Sequence, residues 1–199
     1  MITLIIAFLV MLNPFALFLY LDPVRRELSK KSFAKVLFKA NLISFGIYFL
    51  FLVFGDFIFK NILQINFESF RIFGGIIIFS FAYFFIIKGQ KAFLQMKGNL
   101  DELASEIALP FMVGAGTISL AILLGHQFPT VLATVCLALI LSINFLIIML
   151  LTYIREKISR KRFRIAFDKN MEILLRLNGF FVGAIGINMV ITGIITTFF

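Results

Sequence analysis

Six apolar stretches, near residues 1–21, 36–55, 69–88, 107–125, 130–153 and 177–198, take up most of this chain. Each is about 20 residues long, which as a helix crosses roughly 30 Å of hydrocarbon. A backbone in lipid has no water to satisfy its N–H and C=O groups, so such stretches must be helical. The expected fold is all-α, a polytopic membrane protein with six transmembrane helices. Hydrophobic residues make up 61% of the chain and charged residues 15%, off the balance of a soluble domain. Residues 1–199 are therefore expected to form a single transmembrane domain.

The first stretch has no basic leader region and no small-residue cleavage pattern before Pro14, so it is expected to be a retained span. The single cysteine, Cys136, lies in the fifth stretch. It offers neither a disulfide framework nor a thiolate cluster, and no metal or cofactor is expected.

Orientation follows from the basic residues. The connection after span 1 carries Arg25, Arg26, Lys30, Lys31, Lys35 and Lys39, and that after span 3 carries Lys88, Lys91 and Lys97. The connection after span 5 carries Arg155, Lys157, Arg160, Lys161, Arg162, Arg164 and Lys169, with Arg176 at the edge of span 6. The remaining connections hold only Lys60 and Arg71. By the positive-inside rule the three basic connections are cytoplasmic and both termini face out, across the cytoplasmic membrane. Topology thus accounts for the net charge of +9, and no nucleic-acid partner is needed. Anionic lipid headgroups are the natural partner of the stretch from Arg155 to Arg164.

A second pattern divides the chain in two. Asn13-Pro14-Phe15 interrupts span 1, and Arg71-Ile72-Phe73-Gly74 opens span 3. Pro110-Phe111 and Arg176-Leu177-Asn178-Gly179 stand in corresponding places in spans 4 and 6. Two copies of a unit with an odd number of spans must insert upside down relative to each other. The expectation is two inverted three-helix repeats, about 1–90 and 100–199, an arrangement typical of secondary transporters. Inversion also requires the long basic connection to change place between halves, as residues 22–38 and 154–175 do against the short connections near 126–129 and 56–67.

The interruptions have a physical consequence. Proline lacks an amide hydrogen and clashes with the preceding turn, which frees carbonyls that lipid cannot solvate. Kinked helices are common, and small residues such as Gly114 often serve close packing. Yet Pro110, Gly114 and Gly116 within one stretch, paired with Asn13-Pro14 in the other half, mark helices 1 and 4 as interrupted. Interrupted helices in matching positions point to a transporter's binding site. The exposed start of each following half-helix carries partial positive charge, a cradle for a carboxylate.

Other polar residues have more than one reading. Arg71 and Arg176 either snorkel to headgroups or clamp the repeat interface through Glu68 and Glu172. Asn144, Asn178, Asn188 and Thr192 either line a polar path or bond between helices, and Asn188 joins the candidate site. Phe15 and Phe111 follow the two prolines and are placed to cap a cavity. His126 is expected in the short connection after span 4. If Pro110 matches Pro14 in depth, span 4 begins near Lys97, and Glu102 and Glu106 share a face at i,i+4 spacing. Glu106 is then the candidate for proton coupling. An intramembrane enzyme needs a nucleophile and base or metal ligands, and the spans hold no such set. Homo-oligomerisation stays open.

The residues named above resemble the MarC family of integral membrane proteins, which includes SnatA-type small neutral amino acid transporters and sits among the LysE-like transporters. The resemblance covers nearly the whole chain. It is carried by Asn13-Pro14-Phe15-Ala16, by Arg71 through Phe79, by Pro110 through Thr117, and by Arg176 through Gly193. It implies that Asn13, Pro14, Ala16, Gly114, Ala115, Gly116 and Thr117 line a substrate cavity. It also implies a secondary transporter moving small neutral amino acids, glycine-like or alanine-like, by alternating access. The alternatives are an exporter of another small solute or metabolite and a channel-like facilitator. Ala16 and Ala115 depart from the family, which usually has glycine and often proline there.

Overall fold

In a computed structural model, which describes residues 2–88, 104 and 107–198, all regular structure is helical. Helix α1 (Ile2–Leu12) is followed, after Asn13 alone, by α2 (Pro14–Tyr20) and then α3 (Asp22–Glu27). Helix α4 (Lys30–Phe57) begins behind Ser29, whose hydroxyl accepts the Ser32 amide at 3.2 Å, an ordinary N-cap. It runs into a π-helical turn, Ile58–Ile62, before α5 (Phe67–Lys88). A second π-helical segment, Ile107–Met112, leads to α6 (Ala115–Gln127), then α7 (Thr130–Lys157) and α8 (Lys161–Phe198).

Five helical segments are long and apolar enough to cross a membrane: 2–20, 30–62, 67–84, 130–157 and 161–198. The molecule is therefore a polytopic membrane protein. The fourth expected span has a different form. Its π segment, a break at Val113–Gly114 and the 13 residues of α6 leave no uninterrupted helix of spanning length among the described residues. At 1.5 Å per residue α6 is only about 20 Å long.

The basic connections differ from expectation. Residues 22–38 and 154–175 are helical except for short corners at 28–29 and 158–160. Helix α8 begins at Lys161 rather than near 177 and, with 38 residues, is about 57 Å long. Lysine and arginine are good helix formers, so a helix continues past the bilayer edge where hydropathy stops. Connection length therefore does not distinguish the two halves.

Burial provides a sharper register. Helices α4 and α7 both have 28 residues. Every buried position of α7 stands one hundred places after a buried position of α4: Phe33 with Ala133, Val36 with Cys136, Leu37 with Leu137, Ala40 with Ile140, Asn41 with Leu141, Ser44 with Asn144, Tyr48 with Ile148 and Leu52 with Thr152. The steps of three and four residues make one narrow packed stripe per helix. The other faces expose Phe38, Leu42, Leu139 and Leu146, as side chains in lipid must be.

The stripe of α4 packs on α6, α7 and the second π segment, while α1 and α2 lie against α7 and α8. Helices α5 and α8 form the most extensive pair. They touch backbone to backbone, since a Cβ on Gly75 would fall 2.5 Å from the Gly186 carbonyl oxygen. Small residues permit such contact between helices in lipid, where dispersion and hydrogen bonds replace the hydrophobic drive.

A candidate solute cavity between two broken helices

The first break is one residue long. Asn13 has φ 48° and ψ 69°, the left-handed conformation that asparagine tolerates better than most residues. Its side-chain oxygen accepts the Ala16 amide at 3.1 Å, capping α2, and Pro14 takes the first helical position, where a missing N–H costs nothing. Proline's cost falls four residues back, on the carbonyl of Val10, which would otherwise receive an amide from position 14. The side-chain amide of Asn178 on α8 donates to that carbonyl at 3.0 Å.

The second break has different geometry. Pro110 does not open a half-helix as Pro14 does. It lies within the π segment, where the ladder is widened so that the Val113 amide reaches back to Ala108 O at 2.8 Å. The chain then extends through Gly114, with φ −131° and ψ 170°, into α6. Thr117 closes the turn: its hydroxyl oxygen accepts the Gly114 amide at 2.9 Å and lies 2.9 Å from Gly114 O and 3.2 Å from Met112 O. The Tyr48 hydroxyl on α4 donates to the Met112 carbonyl at 2.6 Å. Each break thus has a loose carbonyl satisfied by a side chain from the other half of the chain.

Between the breaks lies a cavity of about 100 Å³. Asn13, Ala16, Gly114, Ala115, Gly116 and Thr117 line it, joined by Met11, Leu12, Leu17, Tyr20, Ile77, Ile78, Phe81, Met112 and Val182. Several waters, or a solute of a few non-hydrogen atoms, occupy such a volume. Among the described residues the lining contains no carboxylate, ammonium or guanidinium group. Its polar equipment is amide and hydroxyl. Asn13 is 3% exposed, and its side-chain nitrogen is buried without a hydrogen-bond partner, a donor at the cavity wall.

Several expected site residues stand elsewhere. Pro14 is buried but is absent from the lining. Phe15 packs with the cluster of Phe18, Tyr20, Met171 and Leu175 rather than capping the cavity, because it leaves the first turn of α2 toward α8. Asn188 is exposed and borders a separate open hollow of about 470 Å³ between α5 and α8, together with Gly179. The side chains of Pro110 and Phe111, and Lys97, Glu102 and Glu106 altogether, lie outside the described residues.

The repeated arginines also separate. Arg71 pairs with Glu68 on its own helix at 3.4 Å. Arg176 sits within α8, pairs with Glu172 at 3.0 Å and also donates to the Ile86 carbonyl on α5 at 3.1 Å, so it joins two helices. Gly74 lies against the cavity wall, where a Cβ would stand 3.0 Å from the Ala115 Cβ. His126 is in the last turn of α6 rather than in a connection, and contacts Asp56 at 2.8 Å.

Sequence reasoning missed Tyr48 altogether. A lone tyrosine in an apolar run gives one cue, a hydroxyl that must find a partner in lipid. Asn144 is wholly buried with neither side-chain polar atom bonded, while Asn178 serves Val10 and the Thr192 hydroxyl returns to its own helix at Asn188 O, so these residues form no common polar path.

The comparisons with known proteins agree with a membrane protein. A UPF0056 membrane protein of Pyrococcus horikoshii is 26% identical over 186 residues, covering 93% of this chain and 88% of its own length. The UPF0056 membrane protein YvbG of Bacillus subtilis is 28% identical over 169 residues, covering 78% and 75%. One of Aquifex aeolicus is 24% identical over 199 residues, covering 95% and 89%. No solved structure matches. The model of the MarC family of integral membrane proteins matches residues 1–198, and the chain belongs to that family.

Proposed function

We propose that this protein is a secondary transporter that moves small neutral amino acids across the cytoplasmic membrane by alternating access. The observation that carries the proposal is the cavity between the two helix breaks, a mostly apolar pocket with amide and hydroxyl groups and, among the described residues, no side-chain charge. An amino acid in its zwitterionic form has no net charge but two strong dipolar ends. The first turn of α6 directs amides and partial positive charge toward a carboxylate, and Asn13 offers a further donor. Strong net charge on the solute would find no counter-ion among the described lining residues, at a cost that burial makes severe. The small volume favours glycine-like and alanine-like side chains.

In this reading six spans form two inverted three-helix repeats with both termini outside. The shared burial register of α4 and α7 supports repetition, and the basic residues of α3, α7 and α8 support the orientation. The breaks at Asn13 and at Val113–Gly114 fall at nearly the same hundred-residue offset. They, rather than the two prolines, are the corresponding positions.

Uptake of a radiolabelled solute panel into proteoliposomes tests the proposal. Saturable uptake of glycine or alanine, competed by other small neutral amino acids, is expected. Absence of saturable uptake of any small amino acid sinks it. A pH gradient and a sodium gradient form separate arms. With Glu106 as the coupling group, Glu106→Gln abolishes stimulation by the pH gradient and leaves exchange at equal pH intact, whereas unchanged stimulation removes Glu106 from that role.

A further inference from the structure

The two helices that leave the breaks are held at their far ends by different kinds of contact. Helix α6 lies against α4 through glycine. A Cβ at Gly125 would overlap the Leu52 carbonyl, and one at Gly55 would fall 2.7 Å from the Ile122 side chain. The Leu52 carbonyl belongs to the backbone of α4 and has no rotamer into which to retreat. Separating α6 from α4 there would forfeit close dispersion contact along both helices.

The arm formed by α2 and α3 has no such contact. Its packing is by side chains: Phe18 stands edge-on to Phe167 of α8 at 5.9 Å, and Tyr20 packs with Met171 and Leu175. Two residues beyond Tyr20, which lines the cavity, Asp22 enters a buried ion network. Arg155 at the end of α7 reaches Asp22 at 3.0 Å and grips Asp168 of α8 with two parallel bonds of 2.6 and 2.8 Å. Arg25 and Arg26, on the arm itself, complete the set around Asp22, with Arg26 at 2.8 Å. The side chains of Asp22 and Arg155 are only 12% and 11% exposed.

The geometry points to the Asp22–Arg155–Asp168 network as the latch of a gate at the basic end of the molecule, with the α2–α3 arm as the moving part and α6 as the fixed wall. The inference rests on the alternating-access reading above. A charge network suits a latch because it is all-or-none. Intact, its charges compensate one another in a poorly solvated place. When the arm swings out, Asp22 and Arg155 both reach water at the headgroup level, where hydration replaces their pairing. Asp22 keeps Arg25 and Arg26, and Arg155 keeps Asp168, so the one bond that opening breaks is Arg155–Asp22. At intermediate positions it is stretched while both groups are still poorly solvated, which favours two discrete arrangements. No side chain in the cavity needs to change charge for the gate to work.

The latch is tested by one-sided access to the cavity, without any transported solute. In a Cys136→Ser background carrying Ala16→Cys, a membrane-impermeant charged thiol reagent is applied to right-side-out and to inside-out vesicles. Asp22→Asn is expected to raise the labelling rate at least tenfold from the cytoplasmic side and to leave the rate from the outer side unchanged. An unchanged cytoplasmic rate in a protein that remains monodisperse overturns the latch, and so does an equal rise from both sides, which marks general loosening. If Asp22→Asn does not accumulate in the membrane, Arg155→Gln removes the same arm-to-α7 ion pair from its other side, and the same one-sided rise is required of it. Labelling and amino acid uptake are separate readouts. One-sided labelling with no uptake of any amino acid leaves the gate standing and rejects the solute, whereas uptake with no change in labelling does the reverse.

Discussion

The two helix breaks face one cavity, yet they are built from different materials. At the first, a single asparagine takes a left-handed conformation and caps the next helix with its own side chain, while proline starts that helix without strain. At the second, a widened π segment precedes a break at Val113 and an extended Gly114, and Thr117, three places on from Gly114, closes the turn. In the first the polar side chain at the break is also a donor at the cavity wall. In the second, Gly114 has open space beside it, with no atom of the described residues within 4 Å of where its Cβ would be. Breaking a helix in lipid therefore has no single recipe. What the two share is the need to satisfy the loosened carbonyl, and both do so across the chain's midpoint, Val10 through Asn178 and Met112 through Tyr48.

The largest test of the difference is Gly116→Leu. A Cβ at Gly116 would overlap Ile78 and Met11, and a leucine must displace both, an overpacking cost of about 1–3 kcal/mol or more. We expect loss of uptake together with a clear fall in thermal unfolding temperature in detergent. A leucine at Gly114, by contrast, projects into open space and is expected to block uptake at nearly unchanged stability. Sequence alone put these two glycines on an equal footing, and normal stability of the Gly116 variant would return them to it.

Next in size are the two carbonyl partners. Tyr48 is fully buried, so Tyr48→Phe leaves the Met112 carbonyl short of its best donor at a cost of about 1–3 kcal/mol. Asn178 is only partly buried, and Asn178→Leu should cost less, on the order of 0.6 kcal/mol, the average for hydrogen bonds between membrane helices. Denaturation of the purified variants in detergent decides the order. Equal losses would mean that the first break depends on its distant partner as strongly as the second.

The smallest effect is expected from Gly114→Ala. Its φ of −131° suits any residue and its Cβ would meet nothing, so stability should stay within about 0.5 kcal/mol. Uptake should show a raised KM for alanine relative to glycine, because the added methyl takes up room at the cavity wall. An unchanged ratio would place the solute's side chain away from Gly114.

Legibility in the sequence followed the range of the forces involved. Length and hydropathy located the long helices near 36–55, 69–88 and 130–153, because crossing lipid is a requirement each segment meets by itself. The same signal ended at 153, too early for α7, and began at 177, too late for α8, since hydropathy marks the bilayer edge and helix propensity does not stop there. Six of the expected lining residues, Asn13, Ala16 and Gly114 to Thr117, do meet at one cavity. Phe15 and Asn188 do not, because the direction of a side chain from a helix depends on which neighbour the helix packs against, and that neighbour is far away in sequence.

The sequence by itself determined that this chain lives in lipid, that it is helical, and that two of its helices cannot run unbroken. Those are local consequences of apolar length, of proline's missing hydrogen and of glycine, and they hold whatever the partners. Only the tertiary structure decided where the second helix breaks, three residues past Pro110 at Val113, and which donors mend the loose carbonyls. It also decided that Asp22, Arg155 and Asp168, scattered through connections that looked alike in charge, would share one network, buried at Asp22 and Arg155 and half-buried at Asp168. Hydrogen bonds and ion pairs act over a few ångströms, so their partners are chosen by the packing of helices and not by distance along the chain.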